Sequence, residues 1–148
     1  MSSDPLPAIV NLLKELGEKF CHLYCANEDG VSNDKESSQS NPMMEMAKTR
    51  LKISNKLFYT FLESILKDEL NRKSSKDIEI FLSNQIFIRT LFVCCVELVL
   101  RSYNDRRRYP WSLAVGDVSA YHFMKVSRYV ICKILFLYLF SICFVCFI

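Results

Sequence analysis

Glycine and proline are scarce, with 3 and 4 among 148 residues. Folds built from many short strands need such turn formers every few residues, so they are excluded. Three scattered glycines also cannot form a glycine-rich phosphate loop. Histidine is rarer still: His22 and His122 are the only two. Neither sits near a serine or cysteine and an acid in an order that suggests a proton relay. Charge of one sign is not in excess either. The net charge of +3, with 24% charged residues, gives no bulk attraction to a polyanion. The opening MSSDPLPA is polar, so no secretory leader is read there.

Cysteine is plentiful, at Cys21, Cys25, Cys94, Cys95, Cys132, Cys143 and Cys146. The count is odd and most of them lie in apolar runs. Thiols acting as small hydrophobes in a reducing compartment, cytosol or nucleus, explain this better than a disulfide framework. Cys21-His22-x-x-Cys25 would offer two thiolates one turn apart to a metal, but zinc wants four ligands. The second pair, Cys143 and Cys146, lies in an uncharged run where thiolates are costly. Cys94 and Cys95 point ~100° apart on a helix and cannot chelate together. Packing is therefore the expected role of all three pairs, and no metal or cofactor is expected. Asp68-Glu69 and Glu28-Asp29 read as solvated neighbours rather than as an acid and a base. No enzyme is expected.

Apolar periodicity predicts an all-α chain. Asp4-Pro5 caps a helix whose face is Ile9, Leu13, Leu16, Phe20 and Leu23, ending near Cys25. Ala26 to Pro42 is polar and reads as a flexible loop, with periodicity resuming at Met46. Ile53, Leu57, Phe61, Ile65 and Leu66 line a second long helix to about Asn71. Ser74, Ser75 and Asp77 restart the chain for a short helix, Ile78 to Leu82. Asn84 caps the next helix, Ile86 to Tyr103, where only Arg89, Thr90, Glu97, Arg101 and Ser102 are polar. An almost all-round apolar helix is normally enclosed by others, so this one is expected to be the central rod. Pro110 opens a short helix that Gly116 terminates, and Asp117 or Ser119 caps a final helix. Arg106-Arg107-Arg108 reads as a solvated connection, with Trp111 anchoring it to the core; an RNA-binding helical module would rest on that tract alone.

Several segments together resemble the retinoblastoma pocket proteins, and more closely the retinoblastoma-like relatives. These are IVNLLKELGEKFCHLYC, RLKISNKLFYTFLESILKDE, IFIRTLFVCCVELVLRSY and YPWSLAVGDVSAYHFMKVSRYVI. Ile88 stands where the family usually has histidine, and Met124 where it has tyrosine. The resemblance implies domain A of the pocket, a cyclin-box-like helical bundle around a buried central helix. It divides the chain into a leading helix (1–25), a flexible loop (26–45), a partial A-box (46–131) and an apolar tail (132–148). It also implies a nuclear, non-enzymatic module in transcriptional repression and cell-cycle control. The implied partners are E2-factor-type transcription factors and the pocket B half, without sequence-specific DNA binding. Lys67 and Lys125 match lysines of the family motifs, which makes them the implied partner-binding residues.

The groove for Leu-x-Cys-x-Glu peptides belongs to domain B in this family and is not carried over. Past Ile131 the family continues with charged sequence, whereas Ile134 to Ile148 here carries no charge. A truncated or mis-spliced reading frame is one expectation for that tail, with exposed core surface and poor solubility as the result. The alternative is a tail-anchored membrane protein in which Ile134 to Ile148 inserts, although ~22 Å of helix is short for a ~30 Å hydrocarbon core.

Overall fold

The computed structural model describes residues 4–26, 42–72, 75–107 and 109–146, the stretch 134–146 through its helical backbone only. Six helices follow in order: α1 (Leu6–Ala26), α2 (Pro42–Leu70), α3 (Ser75–Leu82), α4 (Gln85–Ser102), α5 (Trp111–Gly116) and α6 (Ala120–Cys146). Every regular element among the described residues is a helix, as the periodicity implied. Most of the polar loop read after Ala26 lies outside the described residues, as do Arg108 and Ser74. α2 already begins at Pro42, ahead of the apolar restart at Met46.

The helix ends follow local chemistry. Asp4 Oδ1 accepts from Leu6 N–H at 3.0 Å and opens α1. Asn84 Oδ1 accepts from Phe87 N–H at 3.3 Å and caps α4 as expected. Ser119, rather than Asp117, caps α6: its Oγ accepts from His122 N–H at 3.3 Å. α4 closes with Asn104 at φ 52° and Asp105 N–H donating back to Leu100 O at 2.9 Å. The left-handed residue after α5 is Asp117, at φ 51°, and not Gly116. Gly116 is required for another reason. A Cβ there would run into Val93 Cγ2 of α4, so its bare backbone is what lets α5 lie against the rod.

α4 is the central helix. It touches α1, α2, α5 and α6. Leu91, Phe92, Val93, Cys95 and Leu100 are fully enclosed, and even Glu97 is buried. Phe20 and Tyr24 of α1, Phe58 of α2 and Val115 of α5 complete this core. Each such side chain contributes roughly 1.5–3 kcal/mol on leaving water.

The expected face of α2 is corrected over its first half. Ile53 is exposed and Leu57 only half-buried, while Ala47, Arg50, Ser54 and Phe58 face inward. Arg50 and Ser54 are inside because both find partners there: Ser54 donates to Arg50 O at 2.8 Å, and Arg50 meets a buried carboxylate described below. Phe61 and Ile65 are buried as expected.

α6 runs without a break from Ala120 to Cys146, so the apolar tail extends the same helix. Among the described residues no single helix is long and apolar enough to cross a membrane. The side chains of 134–146, including those of Cys143 and Cys146, and residues 147–148 lie outside the described set.

Candidate functional site

The chemistry-bearing residues sort quickly once placed. Cys94 and Cys95 are buried in α4. Burial, together with the neighbouring Glu97 carboxylate, pushes the Cys94 thiol up to about 12. Burial also raises the Cys95 thiol well above its usual range. Both are packed as neutral thiols, as expected of small hydrophobes. His122 is engaged locally, its Nδ1 lying 2.7 Å from Ser119 Oγ. No group of three or more His, Cys, Asp or Glu side chains could hold a metal among the described residues.

The arginine tract is not a simple solvated connection. Arg106 is exposed, but Arg107 is folded inward, its guanidinium 4.0 Å from the centroid of the Tyr24 ring. Asp105 organises this end of the bundle. Its Oδ2 accepts from the Tyr24 hydroxyl at 2.6 Å, and its Oδ1 accepts from Arg107 N–H at 2.9 Å. Arg50 Nε lies 3.3 Å from Oδ2, close enough for an ion pair though not aligned as a hydrogen bond. The Arg50 guanidinium also covers the Tyr103 ring at 4.4 Å. Burial pushes the Asp105 carboxyl up, but the Tyr24 hydroxyl, the Arg107 N–H and guanidinium, and Arg50 outweigh it, so the group is held below its usual range. Burial and the Asp105 contact raise the Tyr24 phenol to about 12. Beside this cluster, Glu97 Oε1 accepts from Arg101 Nε at 2.8 Å and from Tyr109 N–H at 3.1 Å, tying the chain before α5 to the central helix.

These charges pair with one another inside the bundle, although Arg50 Nε, Arg107 Nε and Glu97 Oε2 make no hydrogen bond there. Sequence reasoning missed them because Tyr24, Arg50 and Asp105 come from three distant segments. The one local signal was an acid, Asp105, set inside a basic tract.

A groove open to solvent lies elsewhere, between the end of α2, α3, the start of α4 and α6. Its volume is ≈ 510 Å³, and it is lined by Glu69, Phe81, Ile86, Phe87, Thr90, Lys125, Val126 and Tyr129, among others. The Phe81 and Phe87 rings meet at 4.5 Å between centroids, tilted by 47°, and form its apolar wall. Ile86 and Lys125 are exposed at its edge. α6 strengthens the positive side: from Ala120 onward the sequence contains Lys125, Arg128 and Lys133 and no acid. Lys133 is paired with Asp68 of α2. Tyr121, Met124 and Ile131 stand exposed on the same helix.

The two sequence-identified lysines sit in different surroundings. Lys125 lines the groove. Lys67 projects from the last turns of α2, its side chain 71% exposed, with Nζ 3.0 Å from Glu63 Oε1. An apolar wall beside a cation suits a peptide that alternates apolar anchors with acids.

The architecture is that of an all-helical bundle around an enclosed helix. The chain matches the family described as Retinoblastoma-associated protein A domain over residues 1–138. It is 33% identical over 128 residues to Retinoblastoma-like protein 1 of Mus musculus, covering 86% of this chain and 11% of that protein. It is 34% identical over 125 residues to Retinoblastoma-like protein 2 of Homo sapiens, covering 84% and 10%. The Retinoblastoma-like protein homolog lin-35 of Caenorhabditis elegans is 27% identical over 130 residues, covering 85% and 12%. The chain belongs to the retinoblastoma pocket-protein family and carries its A domain, a cyclin-fold helical domain. It spans about a tenth of the length of these relatives.

Proposed function

We propose that this chain is a non-enzymatic, nuclear protein-binding module that serves transcriptional repression of cell-cycle genes. Its ligand would be the acidic, apolar activation segment of E2-factor-type transcription factors, held jointly with a pocket B half. The observation that carries this reading is the groove where Lys125 stands at the edge of the Phe81–Phe87 wall. Lys125 would meet a peptide carboxylate there, and Lys67 would engage the same ligand further along its length. Charge of this kind steers encounter and fixes register more than it adds affinity.

A fluorescent activation-segment peptide, titrated into the chain supplied with a family B half, tests this. Lys125→Glu is expected to weaken binding by about tenfold, and Lys67→Glu by a smaller factor. Binding that neither substitution changes would remove the two lysines from the site. No binding by the unaltered chain with its B half would remove this class of ligand.

A further inference from the structure

Cys21 and Cys25 stand one turn apart near the end of α1, on either side of Tyr24 in sequence, and neither lines the Lys125 groove. Both are free and half-buried. Cβ atoms four residues apart on a helix are separated by ≈ 5–6 Å, whereas a disulfide draws them to ≈ 3.5–4.5 Å. The pair therefore resists closing on itself while the helix is intact. A thiophilic cation between the sulfurs inserts two metal–sulfur bonds, each of ~2.3 Å in the case of zinc. That is enough to span the gap without unwinding α1.

A third soft donor comes from α2. Met44 lines the same groove of ≈ 640 Å³ as Cys21, together with Lys48 and Leu51. Two contacts hold α1 and α2 in register here. A Cβ on Gly17 of α1 would come 3.0 Å from Leu51 Cδ2, so the helices meet closely. Arg107, stacked on Tyr24 of α1, also lies 3.8 Å from Met43 Sδ at the start of α2.

Thiolates and thioethers are soft ligands, and softness favours Cu(I) over hard divalent ions. Zinc would want a closed set of four, which the described residues do not assemble. We propose that Cys21, Cys25 and Met44 form a binding site for one thiophilic monovalent cation of the Cu(I) type. Entry of the cation displaces two thiol protons to water. The two thiolates and the cation then carry one net negative charge, near Lys14, Glu18 and Lys48 of the same groove, where Lys48 Nζ also lies 3.7 Å from Glu45 Oε1. Because each thiol gives up its proton on binding, occupancy rises with pH.

The test uses Cu(I) itself, added without oxygen in competition with a colorimetric Cu(I) chelator. The protein is the full chain carrying Cys132→Ser, Cys143→Ser and Cys146→Ser, so that those thiols do not compete. One equivalent is expected to bind, with a shell of three sulfurs in X-ray absorption. Cys21→Ser or Cys25→Ser should each weaken binding by about tenfold or more. Met44→Leu should keep the helical circular dichroism and leave a two-sulfur shell. Binding unchanged in the Cys21→Ser/Cys25→Ser double variant, with helicity intact, overturns the site. So does uptake that begins only when denaturant opens Cys94 and Cys95.

Discussion

The Tyr24 hydroxyl donates a 2.6 Å hydrogen bond to Asp105 Oδ2 across 81 positions of sequence. This contact joins the end of α1 to the turn after α4, and Arg50 brings α2 to the same carboxylate. Two buried guanidiniums thus depend on one acid. Asp105→Asn keeps the shape but strands Arg50 and Arg107. It is expected to destabilise the fold by about 3–5 kcal/mol in urea unfolding, as losing one member of a buried ionic set does. Tyr24→Phe, which removes one hydrogen bond, should cost about 1–3 kcal/mol.

The same cluster sets an acid limit. The folded Asp105 carboxyl titrates below its unfolded value, so its stabilisation is fully present above about pH 4. It is lost as pH falls further through the folded value. The phenol of Tyr24 gives the opposite edge. Its folded value of about 12 means that its contribution holds below about pH 10 and fades as pH rises toward 12. Urea midpoints measured across pH should show both slopes, and Asp105→Asn should flatten the acid one.

Thiol reactivity should follow burial. In a chain with Cys143→Ser and Cys146→Ser, a thiol reagent at pH 8 is expected to label exposed Cys132 at once. Cys94 and Cys95 should wait for global unfolding. Prompt labelling of either member of that pair, read by mass spectrometry, would show that α4 is not enclosed.

The two described glycines that lie between helices should differ. Gly116→Ala drives a methyl into Val93, a stiff β-branched side chain, and is expected to cost about 1–3 kcal/mol. The methyl of Gly17→Ala meets only the tip of Leu51, which can rotate away. Its effect should be smaller, aided by the better helix propensity of alanine. Thermal unfolding of the two variants side by side makes the comparison.

Much of this fold is legible in the sequence because its strongest signals are local. The run from Ile86 to Tyr103 lacks a polar face, and Asn84 and Asp4 precede helices in capping positions. The inward turn of Arg50 and Ser54 was not legible, since a polar residue between apolar ones reads as solvent-facing until its distant partner is known. Ile53 misled for the complementary reason, because a lone exposed apolar residue carries no penalty that a pattern could register. At the site, Lys125 came from family resemblance. The groove it lines is built by side chains of four helices, and no single stretch of sequence announces it.

A rod touched by α1, α2, α5 and α6 has no free edge from which to unzip. Peeling away any one of these neighbours uncovers oily surface on α4 that the remaining three cannot hide. Partial structures are therefore poor resting states, and the bundle should melt in one step. Circular dichroism and Trp111 fluorescence should therefore report the same urea midpoint.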